Sequence, residues 1–89
     1  MKGAVELNKQ LSDFLADRGW SLSNQAARVV LVVLNRFDTF TADDVIAELH
    51  GEASPPAIYR TLSRMAEAGI LRTVRFNEYY AYVVVVTDH

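Results

Sequence analysis

Arg60, Arg64, Arg72 and Arg75 follow one another closely, and between Ala53 and Phe76 only Glu67 opposes them. Guanidinium groups at that density suit an anionic partner, because each presents a rigid fork of donors that fits the oxygens of a phosphate or the edge of a guanine. The preceding segment has the opposite sign: from Arg36 to Glu52 one arginine stands against Asp38, Asp43, Asp44, Glu48 and Glu52. The net charge of −2 therefore conceals a positive module, and an anionic ligand reads the distribution of charge, not its sum. Tyr59, beside the first of these arginines, has two fates. Its ring can meet a thymine methyl or its hydroxyl bond a phosphate, or the ring can cover the edge of a core and leave only the hydroxyl in water.

Other chemistries lack their parts. The chain has no cysteine, no glycine-rich phosphate loop and no Ser, His and acid set at a recognisable spacing, so no enzymatic activity is expected. Asp43 and Asp44 are adjacent and diverge on one helical turn, unlike two carboxylates that face each other across a bond. His50 closes a short helix, where a cation favours the carbonyl ends. Asp88 and His89 are weak metal candidates: they supply two ligands where a tight site takes three or four. No complete metal site and no cofactor are expected within the chain.

These side chains need elements to position them. With 89 residues, 51% of them apolar, the chain is long enough for one small domain spanning 1–89. Its N-terminus carries charges throughout an apolar pattern, as neither a signal peptide nor a membrane span does, so a cytoplasmic protein without a membrane partner is expected. Val5, Leu7, Leu11, Phe14 and Leu15 fall at helical spacing before Gly19, which makes residues 1–18 an N-terminal amphipathic helix. Ser21 or Ser23 can cap a second helix through "QAARVVLVVLNRF", apolar at Ala27, Val30, Leu31 and Leu34. The run Val29 to Leu34 is apolar all round, and its β-branched valines leave a strand open as the alternative.

"FTADDVIAELHG" carries a helix start: Thr41 and Asp44 have capping-box spacing, with Phe40 and Val45 placed for a hydrophobic staple. The next helix starts at Ser54 with Pro55 just inside and stops at Gly69. Its inward stripe is expected to be Ile58, Leu62, Met65 and Ala66, with Pro56, Ala57, Arg60, Ser63, Arg64 and Glu67 outward and Tyr59 and Thr61 on the flanks. "ILRTVRF", a turn at "NE" and "YYAYVVVV" then read as a β-hairpin.

The expected fold is mainly α with a small antiparallel β-hairpin, a winged helix-turn-helix. Residues 23–69 form its three-helix core, with a recognition helix at about 55–68, and residues 70–86 form the wing. In that plan Arg60 reads a base edge or a phosphate, Arg64, Arg72 and Arg75 hold phosphates, and Ser54 serves as a cap and a phosphate contact together. Roughly four to six phosphate contacts per subunit are expected. The alternative is a winged-helix module that docks on protein, toward which the overall acidity leans and against which the arginines lean.

"FTADDVIAEL" followed by "SPPAIYRTLSRMAEAGILRTVRF" resembles the DNA-binding domain of the ferric uptake regulator family, from about Ser23 to Tyr82. The "IYRTL" and "EAGIL" elements carry that resemblance. It implies a bacterial, metal-responsive transcriptional repressor of metal homeostasis that binds an AT-rich palindromic operator in double-stranded DNA as a homodimer. It gives DNA-contacting roles to Tyr59 and Arg60, within a candidate set of Ser54, Pro56, Ala57, Tyr59, Arg60, Ser63, Arg64, Arg72 and Arg75. Family members continue into a dimerisation domain that binds a divalent metal such as iron, zinc or manganese, and many carry cysteine pairs for zinc. This chain departs from them in stopping at "VVVVTDH", where only Asp88 and His89 match the segment that opens that domain. Either a truncated DNA-binding fragment or a full-length protein without the sensor is expected, and the valine run from Val83 to Val86, apolar on both faces and wanting cover, favours the first.

Overall fold

The computed structural model describes residues 4–36 and 38–85; Val86, Asp88 and His89, and the side chain of Val5, lie outside what is described. Helix α1 spans Ala4–Asp17 and buries Leu7, Leu11 and Leu15. It ends in a Schellman turn: Gly19 takes φ 69°, its N–H donates to the Ala16 carbonyl, and the Trp20 N–H donates to that of Leu15. A side chain at Gly19 would strain this left-handed conformation.

Helix α2 spans Asn24–Arg36, and the Ala26 N–H donates to Ser23 Oγ at 3.1 Å, so Ser23 is the cap and the strand alternative falls. Its inner face is Ala26, Val29, Val30 and Val33. The expected stripe of Ala27, Val30, Leu31 and Leu34 is thus corrected by one position: Ala27 is exposed, and Leu31 is 63% exposed. A helix apolar all round lets either register satisfy the spacing, and the packing of α3 and α4 against it decides.

Strand β1, Thr39–Phe40, comes before helix α3, Ala42–Leu49. The capping box at the start of α3 is complete: the Asp44 N–H donates to Thr41 Oγ1 at 3.2 Å and the Thr41 N–H donates to Asp44 Oδ2 at 2.8 Å. Phe40 and Val45, the staple positions, are both buried. Thr41→Ala is expected to lower stability by about 1 kcal/mol in a urea titration, the cost of a lost N-cap. An unchanged midpoint would mean that solvent caps the helix as well.

Helix α4 spans Pro55–Glu67 and ends in a second Schellman turn, with Gly69 at φ 83° and the Ile70 N–H donating to Met65. Met65 and Ile70, the paired apolar positions of that motif, are fully buried. Strands β2, Leu71–Phe76, and β3, Tyr79–Val84, form the hairpin around Asn77 and Glu78. The sheet has three strands in the order β1-β3-β2, with Phe40 opposite Tyr82 and their rings stacked at 5.6 Å. One buried cluster joins all four helices to the sheet. Four helices and a small antiparallel sheet in this order make a winged helix, whose third strand, β1, is an addition to the expected hairpin.

Candidate nucleic-acid interface

The position of α4 is fixed from α2. The Ser54 N–H donates to Gln25 Oε1 at 2.9 Å, and Arg28, one turn later on α2, pairs with Glu52 at 2.7 Å. Both ionic side chains are at least half exposed, so that pair adds little to stability, yet together the two contacts set where α4 begins. At the other end Gln10 of α1 donates to the Ala68 carbonyl at 2.9 Å.

Along α4, Ile58, Leu62 and Met65 are buried as expected, but the buried side extends to Ala57 and Thr61, and Ala66 is only half-buried. Ala57, expected on the outer face, is 6% exposed and offers no contact surface. Thr61 is buried because its hydroxyl donates to the Ala57 carbonyl at 2.7 Å, which satisfies its polar group inside the helix. Pro56, Arg60, Ser63 and Glu67 are exposed, and Tyr59 is 49% exposed.

The start of α4 has few donors for an anion. Pro55 and Pro56 have no N–H, the Ala57 N–H already donates to Ser54 Oγ at 3.3 Å, and that of Ile58 donates to the Ser54 carbonyl. Of the dual role expected for Ser54, the cap is present, and what remains for a phosphate is its hydroxyl hydrogen.

The wing divides its arginines. Side chains alternate across a strand, so Arg72 and Arg75, three apart, point to opposite faces of the sheet. Arg75 pairs with Tyr80 and lies 5.8 Å from its ring, on the same face as Tyr82. Arg72 pairs with Val83 on the other face. Arg72 and Arg75 are both exposed, but they do not form the single cationic patch that their proximity in sequence suggests.

Between α4 and the wing runs a cleft of about 450 Å³, lined by Tyr59, Tyr80 and Tyr82 together with Thr41 and Asp43 at the start of α3. Tyr59 lines this cleft and is otherwise in water, and it is not among the side chains packed against the main core, so the ring does not cover a core edge with only its hydroxyl exposed. Burial, and secondarily the nearby Tyr59, raise the pKa of Tyr82, which keeps that phenol neutral and a donor. Arg64 is half-buried, its guanidinium 4.4 Å from the Trp20 ring, an intramolecular partner that the sequence did not suggest. The nonlocal indole gives no periodic signal by which it could have been found.

Among the described residues no group of three or more His, Cys, Asp or Glu side chains is placed to hold a metal ion. His50 is exposed at φ 47° as the C-cap of α3. The described part of the chain therefore does not supply the ligand set of a regulatory metal. No helix among the described residues is long and apolar enough to cross a membrane.

Neither a protein-family model nor a curated protein matches this sequence. Solved structures do. The ferric uptake regulator from Pseudomonas aeruginosa with manganese superposes at a TM-score of 0.67 with 18% identity, over 82% of this chain and 58% of that one. A manganese uptake regulator superposes at 0.72 with 19% identity, over 100% of this chain and 63% of that one. A zinc-bound manganese uptake regulator gives 0.68 and 19%, over 90% of this chain and 64% of that one. The chain spans about three fifths of the length of the solved proteins it matches. Its winged helix is therefore the fold shared with part of the ferric and manganese uptake regulator structures.

Proposed function

We propose that this chain is the DNA-binding part of a metal-responsive transcriptional repressor of the ferric uptake regulator family. The observation that carries the proposal is the outer face of α4. On a winged helix that superposes on structures of metal uptake regulators, the exposed residues of the reading helix include Arg60, with Arg64 one turn on and Arg75 on the wing face beside Tyr59. Arg60 contacts a base edge or phosphate in the major groove, Tyr59 lies beside it, Ser63 and Pro56 flank the groove, and the Ser54 hydroxyl and Arg75 reach the backbone. Arg72, on the opposite sheet face, is left to a neighbouring segment of backbone or to solvent.

The operator is an AT-rich palindrome in double-stranded DNA, bound by a homodimer of the intact protein in a bacterial cytoplasm, with genes of metal homeostasis under its control. A divalent metal acts through the portion of the protein beyond this chain. Within this chain, the residues bind and orient; none performs catalysis.

Arg60→Ala tests the reading. Measured by fluorescence anisotropy at low salt on an AT-rich palindromic duplex, the variant is expected to bind about 5- to 150-fold more weakly, the 1–3 kcal/mol of a good bidentate contact. Equal binding by the two proteins would remove α4 as the reading element, and a duplex that neither binds would redirect the search to protein partners.

A further inference from the structure

Trp20 lies on the loop between α1 and α2, and side chains from three places converge on it. The Arg64 guanidinium of α4 sits 4.4 Å from the centre of the indole. Arg18, just past the end of α1, sits 5.9 Å from the same ring and 3.7 Å over Phe14, whose ring meets Trp20 edge-on at 6.4 Å. We propose that Arg18 and Arg64, gathered on Trp20, form a phosphate-binding subsite that carries the DNA interface from the outer face of α4 round to the end of α1. The inference rests on the DNA-binding reading above and adds to it one contact residue, Arg18, and one positioning residue, Trp20.

Stacking occupies the face of a guanidinium and leaves its in-plane N–H groups free, whereas a carboxylate partner would take those donors. Among the described residues the ion pairs join Lys9 to Asp13 and Arg28 to Glu52, so a carboxylate occupies neither the Arg18 nor the Arg64 edge. Each arginine also lies at the C-terminal end of its helix, where positive charge is favoured. That accounts for the residue type but not for two cations brought to one ring. Like charges gathered without a counter-ion repel, and an anion bound between them relieves the repulsion. Trp20 further restrains the long Arg64 side chain before binding, so less rotamer freedom is lost when a phosphate arrives. Arg64 follows Arg60 by one turn of α4, which makes the subsite continuous with the reading face.

The test is a salt series on the whole chain with the same duplex. Arg18→Gln is expected to reduce the steepness of log K against log salt by about 0.9, the release of one counter-ion, while the thermal midpoint falls by no more than several degrees and the protein stays folded at the assay temperature. Trp20→Leu is expected to weaken binding about 3- to 10-fold and Trp20→Phe, which keeps an aromatic face, to restore most of it. Trp20 is the one tryptophan of the chain, so its emission reports on the subsite directly and should change as duplex is added. An Arg18→Gln slope equal to that of the parent, with Arg60→Ala still weakened, would refute the subsite and leave the reading helix standing. Absence of duplex binding by the parent chain would remove both.

Discussion

Phe40→Ala is expected to cost about 3–5 kcal/mol of folding stability, the range for removal of a buried phenylalanine from a core. In a domain of this size that corresponds to a fall of about 12–40 °C in the thermal midpoint. Three functions end together at this side chain. It is 2% exposed and in the main core, its ring stacks on Tyr82 at 5.6 Å, and its backbone forms half of β1. It also stands immediately before the Thr41 cap of α3, whose Val45 is buried in the same core cluster. Loss of the ring therefore leaves a cavity between α3 and the wing, not at the edge of the molecule. Since folded domains are stable by only about 5–15 kcal/mol, the variant should be partly unfolded near physiological temperature. A calorimetric midpoint within a few degrees of the parent would show that Tyr82 and its neighbours collapse into the space.

The second large effect is on binding. With Arg18, Arg60, Arg64 and Arg75 each neutralising one phosphate, log K should fall with log salt at a slope of roughly −3.6 per subunit, the lower end of the four to six contacts expected from sequence. Between 50 and 200 mM salt this amounts to a loss of about 150-fold in affinity. Arg72 is left out of this count because it occupies the sheet face opposite Arg75. The measurement is an anisotropy titration of the duplex at several salt concentrations. A nearly flat response would exclude phosphate neutralisation and favour the protein-docking alternative, for which the acidity of the segment from Asp38 to Glu52 would then matter more than the arginines.

Local features of the fold were legible in the sequence because their causes are local. The Thr41 and Asp44 box, the Ser54 and Pro55 start and the turns at Gly19 and Gly69 each follow from a backbone group and a side chain a few residues apart. Features that depend on a distant partner were not. Strand β1 is two residues long and exists because β3 lies beside it, more than forty positions later in the chain. The α2 face came out one position away because an all-apolar segment satisfies two registers, and Ala57 was assigned outward because a small residue at the margin of an apolar stripe fits either side.

The candidate interface divides in the same way. Arg60 and Ser63 are where helical spacing puts them, on the outer face of α4. The separation of Arg72 from Arg75 could have been read from strand parity alone, since three positions along a strand change the face. The gathering of Arg18 and Arg64 on Trp20 could not, since it depends on how α1 crosses the end of α4.

The base of the wing is held from both sides: the Val84 N–H donates to the Asp38 carbonyl and the Val85 N–H to that of Ile70, each at 2.9 Å. The far end, at Asn77 and Glu78, lies beyond the last strand pair, Phe76 with Tyr79, whose stacked rings are both exposed. Amide exchange with deuterium should therefore form a gradient along β3, slow at Val84 as in the helical core and fast towards Tyr79, so that the wing yields at its tip to the curvature of a ligand while its root stays in register with the helices.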